Sequence, residues 1–391
     1  MLRLKNLDKE VYDNYVKSHK DKSHFLHSES LTEFIKVENN LTPYYLGLVS
    51  ENDEIVCATT IFQEYLKMNY CRLYIPAGFI VDYKNKHLLK TMTKKIVDFA
   101  ISKKALSIEM SPYISDNLKD EDKSIIIENL KAVGFKQTNK SSDSDIMLKE
   151  KTERIDLTED METIENNFSN EIKDYLTKAI SLETEVLIGS KKDLDSLYEI
   201  MLNINKEEVH SKDYYETLYE ILNGNNYTKA TIILGKINLT KTIKSLEKKI
   251  KRTSDQMSII PIDSLTKSSK DKLANLTKQK EELTQELEKF RIFKQEHSQE
   301  STICAHLLIE HNDKAWLLYD YNKNVLEETY LKYYTYYKDI KYCKDHDIKY
   351  LEQISPSILT EFNAKTIESI GTYTYKVRPI TNFIITKIFL K

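Results

Sequence analysis

Apolar positions along the chain change rhythm several times, and each rhythm predicts a kind of element. "PYYLGLV" (43–49) and "EIVCATTIF" (54–62) are apolar and rich in β-branched and aromatic residues, with polar turn residues between them. "CRLYIP" (71–76) extends them into an expected meander. The next stretch, "KHLLKTMTKKIVDFAIS", puts Leu88, Leu89, Met92, Ile96 and Phe99 on one helical face over about residues 86–102, and "ALSIEM" reads as the strand that follows. A helix near 120–132 that ends at Gly134, then a strand at "DIMLK", closes this first unit. Helical patterns fill about 160–223 in "METIENNFSNEIKDYLTKAI", "KKDLDSLYEIMLNI" and "KDYYETLYEIL". Further on, the strand "ATIILGKI" (230–237) precedes a long helical interruption. Beyond that, "STICAHLLIE" and "KAWLLYDY" are expected to pair around "HNDK", followed by a helix at about 325–345 and the strand "IKYLEQI".

The interruption has a different character. Leu239, Ile243, Leu246 and Ile250 keep a three-four spacing, and so do Leu273, Leu276, Leu283, Leu287 and Phe290, with Lys280 as the polar break in the seam. Between the runs, Pro261 and the capping candidates Asp263 and Ser264 suit a reversal and a new helix start. The pair predicts an antiparallel coiled-coil arm inserted between two strands. On either side of it the chain repeats itself in outline: "LYIPAGFIVDYKNKHLLKTMTKKIVDFAISKKALSIEMS" and "LLYDYNKNVLEETYLKYYTYYKDIKYCKDHDIKYLEQIS" both run strand, loop, helix, strand. Two similar α/β units are therefore expected.

Composition narrows the function classes. With 391 residues, 40% of them hydrophobic and 30% charged, the chain has the balance of a globular protein with room for more than one core. No run of about eighteen apolar residues occurs, and "MLRLKNLDKEVYDNYV" lacks the apolar stretch of a secretory signal, so a cytoplasmic location is expected. The net charge of −3 predicts no bulk attraction to nucleic acid or anionic lipid; such contacts would need a local basic patch. Cys57, Cys71, Cys304 and Cys343 sit singly in apolar surroundings and are expected to be buried thiols. No P-loop, dinucleotide fingerprint, zinc pattern or serine-nucleophile elbow occurs, so neither cofactor nor metal is expected.

Several stretches, in order along the whole chain, resemble the FemABX peptidyltransferases, which use aminoacyl-tRNA to build peptidoglycan cross-bridges. "LTEFIKVENNLTPYYLGLVSENDEIVCATTIF" follows that family's helix, lysine and paired strands, and "LYIPAGFIVDY" looks like its "RGPVxDY" signature. "NLKAVGF", "LTKAISLETEV", "HSKDYYETLYEIL", the arm and "SIGTYTYKVRPITN" continue the likeness. It implies an α/β (α+β) fold of two acetyltransferase-like, GNAT-type domains with an inserted coiled-coil arm. The boundaries expected are 1–150 for the first domain, 151–238 with 299–391 for the second, and 239–298 for the arm, the tail being free to pack on the first domain.

The resemblance also assigns substrate-binding positions: Lys36, which matches the family's phosphate-binding lysine, Gly78, Asp82 and Tyr83 of the signature loop, and His210 and Ser211 of the "RSxxYF" helix. It implies aminoacyl-tRNA as donor and a peptidoglycan precursor, nucleotide- or lipid-linked, as acceptor. Other Fem-like proteins and peripheral contact with the inner membrane face follow as candidate partners. No catalytic residue is assigned. The chain departs from the pattern at Ala77 and Phe79, at Ser111, at His210 where the family has arginine, and at Leu359, on which the lysine of "FKxGF" falls. A catalytically reduced homologue that binds precursor or a Fem partner is therefore the alternative to an active aminoacyltransferase. Taken as residues alone, Lys36 reads equally as a solvated charge, His210 and Ser211 as a helix start, and Asp82 and Tyr83 as turn-shaping residues.

Overall fold

The computed structural model describes residues 2–114, 118–138, 147–204, 210–224, 227–260, 266–296 and 300–389. The first part of the chain runs β1 (Arg3–Asn6), α1 (Lys9–Ser18), α2 (Glu29–Asn39), β2 (Thr42–Val49), β3 (Ile55–Tyr65), β4 (Cys71–Ile75), α3 (Lys86–Ser102), β5 (Ala105–Met110), α4 (Asp120–Ala132) and β6 (Lys136–Gln137). The meander β2–β3–β4 is antiparallel, as its alternating β-branched and aromatic content predicts, and β4 then pairs in parallel with β5. Such a parallel pair needs a crossover, and α3 supplies it. Asn85 caps α3 by accepting a hydrogen bond from the Leu88 amide at 3.1 Å, and Leu89, Met92, Ile96 and Ala100 bury the helix against the sheet core.

The second part repeats the plan with β7 (Lys151–Asp156), α5 (Met161–Asn166), α6 (Asn170–Ser181), β8 (Thr184–Ile188), α7 (Leu194–Ile204), α8 (Lys212–Asn223) and β9 (Thr228–Asn238). The arm follows as α9 (Leu239–Ser258) and α10 (Lys267–Glu296). The sheet resumes with β10 (Glu300–His311), β11 (Lys314–Asn322), α11 (Leu331–Asp345), β12 (Tyr350–Ile354) and β13 (Lys365–Glu368). Here β9, β10 and β11 are antiparallel, and β11 and β12 are the parallel pair spanned by α11. The echo in the sequence is thus two βαβ units on antiparallel flanks, the acetyltransferase-like arrangement. Among the described residues the sheet orders are β1-β2-β3-β4-β5-β14-β6, with β14 at Tyr373–Lys376, and β13-β7-β12-β11-β10-β9-β8.

The tail completes the first sheet rather than the second. After β13 the chain crosses back, and β14 (Tyr373–Lys376) inserts between β5 and β6 before α12 (Pro379–Phe389). The Ser111 and Thr372 hydroxyls meet at 2.8 Å on this joint. Two expectations change. The apolar pattern of "DIMLK" is no strand where it is described: Met147 is buried in the core between the halves, the Leu148 amide donates to the Pro76 carbonyl at 3.1 Å, and residues 145 and 146 lie outside the described residues. The helix expected from 325 starts at Leu331, because Leu326 and Tyr330 take positive φ (53° and 51°), which no α-helix admits.

The arm has the expected seam, with Leu246, Leu276, Leu287 and Phe290 buried, and its helices are tied across by Arg291 to Glu247 at 2.9 Å. Its root belongs to the second half. Leu239, Leu246, Leu287 and Phe290 pack with Leu182, Ile237, Ile303 and Leu331, and the Thr242 hydroxyl donates to the Leu182 carbonyl at 2.9 Å. The turn residues Pro261, Asp263 and Ser264 lie outside the described residues. All four cysteines are buried free thiols.

Candidate functional site

Ligands of open α/β sheets bind beyond the carboxyl ends of parallel strands. In the first half that edge is formed by residues 76–83 after β4 and residues 111–113 after β5. The two loops are bonded together: the Tyr113 amide donates to the Ala77 carbonyl at 2.9 Å and the Ser111 amide to the Ile75 carbonyl at 3.3 Å. Gly78 turns the first loop with φ +78°, and a Cβ there would lie 2.4 Å from the Tyr83 hydroxyl oxygen and 2.7 Å from the Cα of Pro112. Only glycine meets both demands. The Gly78 carbonyl accepts from Thr59 Oγ1 at 2.8 Å and faces His27 Nε2 at 3.2 Å, while the Phe79 amide donates to the buried Tyr83 hydroxyl at 2.6 Å. Asp82 is exposed, and its carboxylate accepts the Lys84 amide at 3.0 Å. Gly78 and Tyr83 are therefore joined in one turn, with Asp82 at its outer surface.

The second half closes over this edge. Lys314 opens β11 directly after the β10–β11 turn, and its buried ammonium donates to the Tyr113 hydroxyl at 2.7 Å; Asn312, in the turn, donates to Ser23 at 3.2 Å. Burial pushes the Lys314 ammonium below its ordinary pKa. His24 packs its ring against Phe25, Tyr113 and Trp316 at centroid distances of 4.4, 5.1 and 4.8 Å. Arg154 and Glu352, 2.6 Å apart and almost entirely buried, add an ion pair across β7 and β12. The sequence carried no signal for this polar seam, since Lys314 sits in "HNDK", which reads as a solvated turn.

Lys36 lies on α2, half-exposed, with its ammonium 3.1 Å from Glu33. Lys9 meets the same carboxylate at 2.6 Å and Glu29 at 2.9 Å. Burial pushes Glu33 up, but Lys9 and Lys36 outweigh it and hold the carboxyl below its ordinary value. His210 and Ser211 open α8. Ser211 caps it by accepting the Tyr214 amide at 3.2 Å, and His210, exposed, stacks on Tyr214 with ring centroids 3.8 Å apart. Tyr214 in turn meets the edge of Phe34 at 5.0 Å and shares a hydrogen bond with the Tyr319 hydroxyl at 3.1 Å.

The His210–Tyr214 stack thus abuts α2 without reaching Lys36. Two residues are about 200° of helical rotation, so Lys36 and Phe34 occupy nearly opposite faces of α2. The six positions fall into three places: the Gly78–Tyr83 turn with Asp82, the Lys36–Glu33–Lys9 cluster, and the start of α8. Tyr214, Tyr215, Tyr319 and Tyr321 form an aromatic floor beside the third, with Tyr215 and Tyr319 edge-on at 5.3 Å and Tyr319 and Tyr321 stacked at 6.0 Å. Its one sequence signal is the alternation of tyrosines in "LLYDY". Ala77, Phe79 and Leu359 are buried in apolar cores. Among the described residues no group of three or more His, Cys, Asp or Glu could hold a metal ion.

The chain matches the FemAB family over residues 7–388. It is 22% identical over 361 residues to the Lipid II:glycine glycyltransferase of Staphylococcus aureus (strain USA300), covering 87% of this chain and 82% of that protein. Against the protein of the same name from strain N315 it is 22% identical over 357 residues, with 87% and 82% covered. Among solved structures, FemX superposes with a TM-score of 0.75 at 18% identity, over 98% of this chain and 99% of that chain. A tandem GNAT protein from the clavulanic acid biosynthesis pathway superposes at 0.49 with 7% identity, over 96% and 99% of the two chains.

Proposed function

The chain belongs to the FemAB family, and from that premise we propose that it is an acyltransferase that adds an amino acid from aminoacyl-tRNA to the stem peptide of a peptidoglycan precursor. The observation that carries this reading is the match over residues 7–388, which takes in both halves and the arm together. The relatives named as Lipid II:glycine glycyltransferases support an aminoacyl group as cargo and a cell-wall precursor as acceptor.

The chemistry asks little of side chains. An aminoacyl ester is already activated, so the site must hold the amine against the carbonyl, accept a proton and stabilise a developing oxyanion. A precursor bearing a diphosphate needs cations, and Lys36 beside Lys9 is a pair held by one carboxylate that such a group would displace. His210 on its tyrosine stack, with Ser211 beneath it, offers a second exposed polar edge, and Asp82 an exposed carboxylate at the end of the parallel strands. The Gly78–Tyr83 hydrogen-bonded turn would hold Asp82 in place.

The deciding experiment supplies the protein with charged tRNAs and either a nucleotide-linked or a lipid-linked precursor, and follows labelled amino acid into the stem peptide. Transfer with one of these combinations is expected. Its absence from all of them would remove the proposal.

A second reading has its own observation. Ala77, Phe79 and Leu359 are buried apolar side chains where the family resemblance calls for an arginine, a proline and a lysine. This suits a homologue that keeps the scaffold to bind precursor or a Fem partner without turnover. Saturable precursor binding together with no transfer would support it, and robust transfer by the isolated protein would exclude it.

A further inference from the structure

We propose that the outward face of α12 docks the protein on an anionic lipid surface, lying in the headgroup region without crossing it. A surface helix ordinarily turns its apolar stripe inward; over the described side chains of α12, residues 379–385, one isoleucine is turned inward while two isoleucines and a phenylalanine are turned out. Ile385 is 3% exposed and sits on the side that packs against β5, whereas Ile380, Phe383 and Ile384 are 77%, 61% and 46% exposed. At 100° per residue those three fall within a sector of about 100°, nearly opposite Ile385. A further exposed apolar residue lies at the end of α3, which Arg378 reaches from the start of α12. Arg378 Nη2 donates to the Ile101 carbonyl at 3.5 Å, and Ile101 at the end of α3 is itself 48% exposed.

Charge selects the occupant. From Ser369 to Lys391 the sequence holds four basic residues, Lys376, Arg378, Lys387 and Lys391, and no acidic one, in a chain whose net charge is −3. Lys376 is exposed immediately before the helix, and the exposed Lys104 follows Ile101. An apolar stripe of isoleucines and phenylalanine in a tail whose charged residues are all basic is the pattern of an interfacial helix on anionic lipid. A protein partner would need no such bias, and a second copy of this chain would bring the same cations face to face. No helix among the described residues is long and apolar enough to cross a membrane, so the helix lies on the surface. The choice of a membrane also draws on the proposed function, whose acceptor has a lipid-linked form.

The test is sedimentation of the full chain with vesicles of phosphatidylglycerol and phosphatidylcholine (about 30:70) or of phosphatidylcholine alone. Binding is expected to the anionic vesicles, weakening as salt rises from about 50 to about 300 mM. The double variant Ile380→Asp/Ile384→Asp, confined to exposed positions, should lose about tenfold or more of the partitioning, and Lys376→Gln about fivefold. Transfer to the nucleotide-linked precursor by the double variant should match the wild type, so that loss of docking is separated from loss of the site. Equal binding to both vesicle types, or undiminished binding by the double variant, would overturn the inference. So would sedimentation equilibrium showing a dimer that the double variant dissolves. Vesicle binding by a protein that transfers nothing would leave the inference standing and remove the proposed function instead.

Discussion

Nδ1 of His306 lies 2.6 Å from a carboxylate oxygen of Asp339, with both side chains completely buried between β10 and α11. Asp320 stands opposite His306 across the β10–β11 ladder and takes a hydrogen bond from Tyr336. Burial alone pushes the imidazole down, but the Asp339 carboxylate outweighs it and raises His306 above its ordinary value, while burial raises Asp339. Removing one partner leaves a buried charge without compensation, so Asp339→Ala should destabilise the protein by roughly 3–5 kcal/mol. Both shifts have one sign: the folded pair keeps its proton longer than the unfolded chain does. The imidazole's share of the stabilisation is fully present below about pH 6.5 and is lost as pH rises through its raised value. Urea midpoints at pH 6 and pH 9 should show the wild-type advantage shrinking at the higher pH; a widening gap contradicts the assignment.

Three other histidines carry the opposite sign. His24, His27 and His311 are buried at the seam between the halves, and burial lowers all three, His27 to about 4 and His311 to about 3. His27 is held neutral with its Nδ1 accepting the His24 amide at 3.0 Å and its Nε2 3.2 Å from the Gly78 carbonyl. Their contribution is present above about pH 6.5 and disappears as pH falls towards the folded values. For His27 the full shift corresponds to roughly 3 kcal/mol. The loss of stability between pH 7.5 and pH 5 should therefore be visibly shallower in His27→Gln than in the wild type. Parallel slopes would place the acid sensitivity elsewhere.

Gly78→Ala and Asp82→Ala separate shape from contact within one turn. The alanine methyl at 78 would meet both the Tyr83 hydroxyl and the Pro112 backbone at a positive φ. A cost of about 1–3 kcal/mol is expected from the backbone alone, with the clash added to it. Asp82 is exposed, and its replacement should change stability by no more than about 0.5 kcal/mol. If Asp82 touches substrate, Asp82→Ala should reduce precursor affinity at unchanged melting temperature. Calorimetric titration beside thermal unfolding distinguishes the two, and unchanged affinity removes Asp82 from the site.

What the sequence disclosed follows from how local each signal is. The α3 stripe of Leu89, Met92 and Ile96, the meander before it and the seam of the arm are contained in windows of a dozen residues. The two βαβ units were visible because strand and helix rhythms recur in the same order. β14 was not, because "YTYK" is four residues long and finds its partners β5 and β6 more than two hundred residues upstream. "DIMLK" misled for a related reason: Met147 is apolar because it is buried between the halves, not because it pairs in a sheet. Nothing in the spacing joins His306 to Asp339 or Lys314 to Tyr113, since each pair is made by tertiary packing. The candidate positions were legible only through family resemblance, which names residues without saying that Lys36 and His210 lie on different sides of α2.

Lys36→Ala tests the cation cluster. Among the described residues its one ion pair is to Glu33, which keeps Lys9, so stability should change by about 0.5 kcal/mol or less. A charge-assisted contact to a precursor phosphate is worth roughly 1.5–3 kcal/mol, so binding of a nucleotide-linked precursor should weaken about tenfold or more. An unaltered titration would show that the ammonium serves Glu33 alone.

The root of the arm dictates where it can be cut. Excising residues 241–298 removes Leu246, Leu287 and Phe290 from a core they share with Leu182, Ile237, Ile303 and Leu331, and breaks the Lys249 bond to the Ser181 carbonyl at 3.0 Å. Burying a leucine or phenylalanine side chain contributes about 1.5–3 kcal/mol, so that deletion should destabilise the second half severely. The outer part is different, because beyond Thr253 on α9 and Leu283 on α10 the helices bury side chains chiefly against each other. Replacing residues 256–281 with a short Gly/Ser turn should therefore preserve a cooperative fold, with the Arg291–Glu247 pair intact about two turns inside the new end. If the outer arm serves the tRNA or a protein partner, the shortened protein should bind precursor as the wild type does while losing transfer from charged tRNA or co-purification with that partner. Circular dichroism, precursor titration and the transfer assay on the two deletions decide the matter. Full transfer by the shortened protein would make the outer arm dispensable, and its failure to fold would show that stabilising contacts extend to the tip.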